Sequence, residues 1–198
     1  MRRVTITNCS NIRKTIAITS YAELVIAPAA SDIIQPAFSN LFVQTEILPS
    51  QHTILCTRRP RSVEEKAPWM FHLLSMEGKH AEEISYETDR MKFIGRGNTS
   101  QHPEAMKNLD KLSGSQGSVL DPIAAIRYRI SLAPDESVAI DLVTGIAETR
   151  EVCLGLINKY QDNKPHKDRV FEMAWTHSQV VLRQINASEA DAQLYGRL

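Results

Sequence analysis

Glu87 and Asp89 lie two residues apart in the most charged part of residues 84–97, I-S-Y-E-T-D-R-M-K-F-I-G-R-G. In a strand, side chains at i and i+2 project from the same face. The two carboxyls therefore form a candidate acid pair for general acid–base chemistry. The simpler reading is structural: pairing with Arg90, Lys92 or Arg96 would fix the sheet end and the loop that follows. Gly95-Arg96-Gly97 could turn backbone amides toward a phosphate. It lacks the strand–loop–helix setting of a phosphate loop, so a tight turn that frees Arg96 is the simpler reading. Arg58, Arg59 and Arg61 make a basic cluster that could hold phosphate or an RNA backbone. Glu64 and Glu65 follow directly and no aromatic is interleaved, which favours a solvated or interdomain loop. The six histidines show no metal-ligand spacing. His177 and Ser178 are adjacent on a helical pattern, where neighbours diverge, so they make no nucleophile–base pair. Trp69, Trp175, Tyr86 and Phe93 offer flat faces for stacking, with core packing as the default.

The bulk numbers limit what these residues serve. The chain has 198 residues, 42% hydrophobic and 23% charged, as an ordinary globular domain has. Lys+Arg and Asp+Glu are both 23, so the basic excess of a nucleic-acid binder is missing. Cys9, Cys56 and Cys153 are far apart and odd in number, which points to reduced structural thiols and a cytoplasmic setting. Met1-Arg2-Arg3 leads into alternating Val4-Thr5-Ile6-Thr7, so no signal peptide is expected. No run approaches the roughly 20 apolar residues of a membrane helix.

The elements that must position the charged segment read as strands first and helices after. Val4, Ile6, Ile16 and Ile18 alternate with small or polar residues, and Asn8-Cys9-Ser10-Asn11 between them predicts a hairpin. Residues 21–26 continue as strand to Pro28. Ser31 is a candidate cap for a short helix that Pro36 breaks. Residues 43–48 and 53–57 form a second hairpin across Pro49-Ser50-Gln51-His52. Strands are expected at 69–76, 84–88, 91–94, 118–132 and 138–143, with a long loop at 95–117 or one holding a short helical turn near Glu104 to Leu112. From Thr149 the period becomes helical. Asn163-Lys164-Pro165 breaks it, a longer helix follows over Val170, Phe171, Trp175, Val181 and Ile185, and Ser188 caps another. Strands followed by helices suit a β-sandwich with helices at one end.

Eight segments then resemble one known family in a fixed order. They are T-S-Y-A-E-L-V-I-A-P (19–28), P-A-F-S-N-L-F (36–42), C-T-R-R-P-R (56–61), Y-E-T-D-R (86–90), F-I-G-R-G (93–97), S-V-L-D-P (118–122), V-T-G-I-A-E-T-R (143–150) and A-W-T-H-S-Q (174–179). Together they resemble the cellobiose phosphorylase family, glycoside hydrolase family 94. Within it they are most like the phosphorylase-like part of cyclic β-1,2-glucan synthases. The resemblance implies a mainly-β fold, an antiparallel β-sandwich of the supersandwich, galactose-mutarotase-like type with C-terminal linker helices. It divides the chain into a sandwich at 1–147 and a linker at 148–198 leading to a catalytic α/α barrel outside this chain.

The family's catalytic acid and phosphate site belong to that barrel, so no catalytic residue carries over. Inverting cleavage wants two carboxyls roughly 6.5–9.5 Å apart. The candidate substrate-binding residues are Glu87, Asp89, Arg90 and Arg96, as sugar contacts made beside the barrel. No cofactor or metal is implied, and inorganic phosphate is the parent's co-substrate. The implied partners are the barrel and a β-linked glucan; a homodimer is allowed, and no nucleic acid or membrane contact is expected. Parents of this kind are inner-membrane proteins with this part on the cytoplasmic side. The expected role is a non-catalytic domain that braces the barrel and helps shape the glucan site. An autonomous carbohydrate-binding module is the alternative, and a complete small enzyme the third reading. The helix over Phe171 and Ile185 is expected to expose apolar residues where the barrel would meet it.

Overall fold

The computed structural model describes residues 1–60, 62, 64–161 and 164–195. Met1–Asp162 forms one compact unit and Asn163–Leu198 another. The first is a two-sheet antiparallel sandwich. Its strands are β1 Arg2–Thr7, β2 Lys14–Glu23, β3 Val43–Leu48, β4 Thr53–Arg58, β5 Trp69–Glu77, β6 Glu83–Asp89, β7 Pro122–Leu132 and β8 Ser137–Ala147. The larger sheet runs β1-β8-β5-β4-β3 and the smaller β2-β7-β6.

Strict alternation along β7 explains the layering. Ala124, Ile126, Tyr128, Ile130 and Leu132 enter the core between the sheets with Ile54, Cys56 and Leu74. Ile123 and Ala125, on the opposite face, pack beneath Phe93, Ile94 and Leu112. The larger sheet also has two covered faces. Leu55, Phe71, Leu73 and Val143 leave the intersheet core and meet Cys153 and Ile157 of helix α4, Arg150–Gln161. The order of layers is therefore helix, sheet, sheet, loop. Polar groups tie the two sheets together at three points. The Tyr128 hydroxyl donates to the Leu74 carbonyl. His72 places Nε2 3.0 Å from Ser20 Oγ and Nδ1 3.1 Å from Thr144 Oγ1. The Thr45 and Thr88 hydroxyls lie 2.8 Å apart.

Several local expectations change. The hairpin expected around residues 8–11 is a crossover, because β1 pairs with β8 and β2 with β7. Asn8 secures it by donating its side-chain amide to the carbonyls of Ile12, 2.8 Å, and Leu132, 3.0 Å. The hairpin of β3 and β4 forms as expected, with a 3-10 turn at Pro49–Gln51 and His52 at φ 50°. The short helices are α1 Ala29–Ile34 and α2 Pro36–Asn40; Pro28, not Ser31, precedes the first. Residues 118–121 stay outside the sheet, since β7 begins at Pro122. Residues 91–94 form no strand but belong to the short helix α3, Arg90–Ile94.

The compact unit takes in α4, which the division at 147/148 assigns to the linker. Beyond it lie α5 Lys164–Gln184 and α6 Glu189–Tyr195. Ser188 caps α6 reciprocally: its hydroxyl accepts from the Asp191 N–H at 3.2 Å, and its own N–H donates to the Asp191 carboxylate at 2.8 Å. Trp175, on α5, is 66% exposed, and Ile185, directly after that helix, is 65% exposed. No helix among the described residues is long and apolar enough to cross a membrane.

Candidate functional site

The charged segment sits where β6 leaves the smaller sheet. Pairing with β7 is regular up to Glu87 opposite Ala125, then shifts before Asp89 opposite Pro122. This bulge interrupts the simple alternation that would set the two carboxyls alike on one face. Glu87 is 1% exposed. Its Oε1 accepts the N–H groups of Thr88, 3.0 Å, and Asp89, 2.9 Å, and its Oε2 accepts the Ser113 hydroxyl. Glu87 thus clamps the bulge on one side and the incoming loop on the other. Asp89 is the N-cap of α3, accepting the Met91 N–H at 2.9 Å. These acceptor roles replace the expected ion pairs with Arg90, Lys92 or Arg96.

Arg90 turns instead toward β2. Its Nε donates to Glu23 Oε1 at 3.2 Å and lies 3.7 Å from Asp121 Oδ2. The Tyr21 hydroxyl donates to the same Glu23 oxygen at 3.0 Å, and Asn40 donates to Asp121 at 3.0 Å. Burial, then the neighbouring Glu23, raises the Tyr21 phenol above its ordinary value. The Glu23 hydrogen bond raises Arg90 as well. The Tyr21 ring stacks on Phe93 with centroids 5.0 Å apart. Tyr21, Glu23, Asn40, Arg90 and Asp121 thus form a surface group of planar amide, carboxylate and guanidinium edges beside an aromatic ring. Arg96 is exposed on a turn whose glycines have φ +80° at Gly95 and +78° at Gly97. The structure brings Glu87, Asp89 and Arg90 into one stretch but gives each a different direction of contact.

Sequence reasoning missed the residue that organises the loop above. Arg127, on β7, is 3% exposed. Its Nε donates to Thr19 Oγ1 at 2.9 Å, its Nη1 to the Asp110 carbonyl at 2.6 Å, and its Nη2 to the Ala105 carbonyl. Burial lowers its pKa from the ordinary guanidinium value. Ser85 Oγ, on the neighbouring strand, accepts the Leu112 N–H at 3.1 Å. Between loop and sheet is a cavity of about 260 Å³ lined by Glu87, Phe93, Glu104, Asp110, Ser113 and Arg127, among others. The available signal was an arginine amid the apolar residues of I-A-A-I-R-Y-R-I.

The remaining candidates separate. Tyr86 and Phe93 are core residues, while Trp69 is half-buried with the Arg150 guanidinium 5.8 Å from its ring. Ser178 bonds back to the Trp175 carbonyl at 2.7 Å. Arg61 of the basic cluster lies outside the described residues. Cys56 and Cys153 are buried free thiols, pushed up by burial to about 12 and about 11. Among the described residues no three His, Cys, Asp or Glu gather as metal ligands.

Two packed antiparallel sheets, one roofed by a helix and the other by a pinned loop, define a β-sandwich domain. Residues 1–163 match the description "Glycosyl hydrolase 94, supersandwich domain". The chain belongs to that family, one of carbohydrate-active enzymes. It is also similar to the cyclic beta-(1,2)-glucan synthase NdvB of Rhizobium meliloti (strain 1021), 31% identical over 199 residues. The match covers 99% of this chain and 7% of that protein's length.

Proposed function

We propose that this chain is a non-catalytic supporting domain of a β-glucan-processing enzyme, and that its outer loop face shapes one side of the glucan site. One observation carries the reading: the two carboxyls best placed for acid chemistry hold the fold instead. Glu87 has both oxygens engaged at 1% exposure, and Asp89 caps a helix. What the same face offers outward is Arg96 on its glycine turn and the Tyr21–Glu23–Arg90–Asp121 group. Planar hydrogen-bonding edges beside an aromatic ring suit sugar hydroxyls and the apolar face of a pyranose. The likeness to a cyclic beta-(1,2)-glucan synthase supports β-1,2-linked glucan as the substrate class. A catalytic barrel and inorganic phosphate belong to the proposed parent enzyme.

The test is an NMR titration of the chain with linear β-1,2-glucooligosaccharides, with and without phosphate. Saturable shifts confined to residues 19–23 and 84–97 are expected, together with no turnover of the glucan. Turnover by the chain alone, abolished in Glu87→Gln, would overthrow the reading. A flat titration would remove the sugar contact and leave a purely bracing role.

A further inference from the structure

Arg58 ends β4 on the core side of the larger sheet and is 4% exposed. Its Nη1 donates to the Ile26 carbonyl at 3.2 Å, and its Nε is buried without an acceptor. Among the described residues no carboxylate pairs with it. A guanidinium keeps its proton at any ordinary pH, and a buried charge without a counter-charge is strongly unfavourable. A second cation adds to the imbalance. The Arg58 guanidinium lies 5.4 Å from the Phe42 ring centroid, and that of Arg59 5.6 Å from the same centroid. The Arg59 N–H donates to the Phe42 carbonyl at 2.7 Å, which holds the two strands in this arrangement. Cation–π attraction to one ring offsets part of the repulsion between two guanidinium groups, but it neutralises neither.

We propose that Arg58 and Arg59 form an oxyanion-binding site, sized for inorganic phosphate or a carboxylate group. With Nη1 held by Ile26, the side of the Arg58 guanidinium that remains is the Nε–Nη2 fork. That fork meets two oxygens of one anion in parallel. Arg59 is exposed and supplies the second positive charge from the solvent side. A bound oxyanion satisfies the buried Nε–H and relieves the repulsion across Phe42 together. The site is built on the end of β4, Arg59 after it, Phe42 before β3 and Ile26 after β2, so it is independent of the glucan reading.

The test follows the arginine Nε–Hε signals of the isotope-labelled chain by NMR. Inorganic phosphate, acetate and chloride are titrated separately at constant ionic strength. The expected result is saturable movement of the Arg58 and Arg59 signals with phosphate or acetate and none with chloride. The stronger of the two anions identifies the preferred source. The thermal midpoint should rise with that anion, because a ligand that binds only the folded state stabilises it. Arg59→Gln changes an exposed side chain and should lose most of this rise. Arg58→Lys keeps the charge but not the fork and should lose the saturation. Equal responses to chloride and both oxyanions, or an unmoved Arg58 signal, overturn the proposal. If Arg58→Lys does not fold, an undiminished response in Arg59→Gln overturns it.

Discussion

A buried carboxylate is tolerated only when hydrogen-bond donors meet it, and Glu87 is met by two backbone amides and a hydroxyl. Glu87→Ala removes the acceptor and leaves those donors in a dry site. It should cost about 1–3 kcal/mol, read from urea unfolding, with loss of protection at the Thr88 and Asp89 amides. Unchanged stability would show that the clamp contributes nothing. His72 gives a pH dependence of definite sign. Burial lowers its pKa from 6.5 to about 4. Well above pH 6.5 the imidazole is neutral in both states and His72 leaves stability unchanged with pH. As pH falls from 6.5 toward about 4 the unfolded chain takes up a proton that the folded chain refuses. Stability then drops by about 1.4 kcal/mol per pH unit, levelling off below. A His72 imidazole signal, assigned by its loss in His72→Gln, that titrates near 6.5 in the folded chain would contradict this. The structural use of Glu87 was legible in sequence but its partners were not, and the role of His72 was not legible at all. An inter-sheet histidine and a loop-pinning arginine such as Arg127 each depend on a strand far along the chain, and local patterns carry no partner.

At the scale of elements, the same limit separates what was read from what was not. The β3–β4 hairpin, β5 and α4 followed from period and turn residues because their information is local. For β1 and β2 the period was right and the partners wrong: two adjacent strands that cross between sheets look like a hairpin until β7 and β8 are placed. Helix α3 failed for another reason. Five residues are too few to display a helical period, so the spacing of Met91 and Phe93 read as strand. The better signals were the flanking Asp89 cap and Gly95 stop. Gly95 and Gly97 also make a controlled comparison, since their φ angles are nearly equal. A Cβ on Gly95 would lie 2.7 Å from Glu104 Cβ and 2.9 Å from Asn98 Nδ2, while Gly97 has open space. Both alanine variants bear left-handed backbone strain of about 1–3 kcal/mol. Gly95→Ala alone must also push the loop away from α3. It should therefore melt lower than Gly97→Ala and weaken protection across residues 95–104. Equal melting temperatures would mean that the loop yields freely at Glu104.

For the whole molecule, the question is where the sandwich ends. The change from strand to helix period near Thr149 suggests a boundary before α4, but burial argues for one after it. Leu55, Phe71, Leu73 and Val143 point away from the intersheet core and are covered by α4 through Cys153 and Ile157. Gln51 to Asn158 at 2.7 Å and Gln161 to the Ser50 carbonyl at 3.1 Å fasten the same helix at its far end. Gly145 shows how closely that face is built, since a Cβ there would meet Phe71 Cε1 at 2.4 Å. Full burial of a Leu, Val or Phe side chain is worth about 1.5–3 kcal/mol. Uncovering four of them fully costs about 6–12 kcal/mol, against a domain stability of about 5–15 kcal/mol. A chain ending at residue 147 should accordingly be unfolded or aggregate through the bared sheet. One ending at residue 161 should give a dispersed amide spectrum and melt close to the full chain. A soluble, cooperatively melting 1–147 fragment would make α4 a dispensable linker. Its failure beside a folded 1–161 fragment would make that helix the third layer of the sandwich.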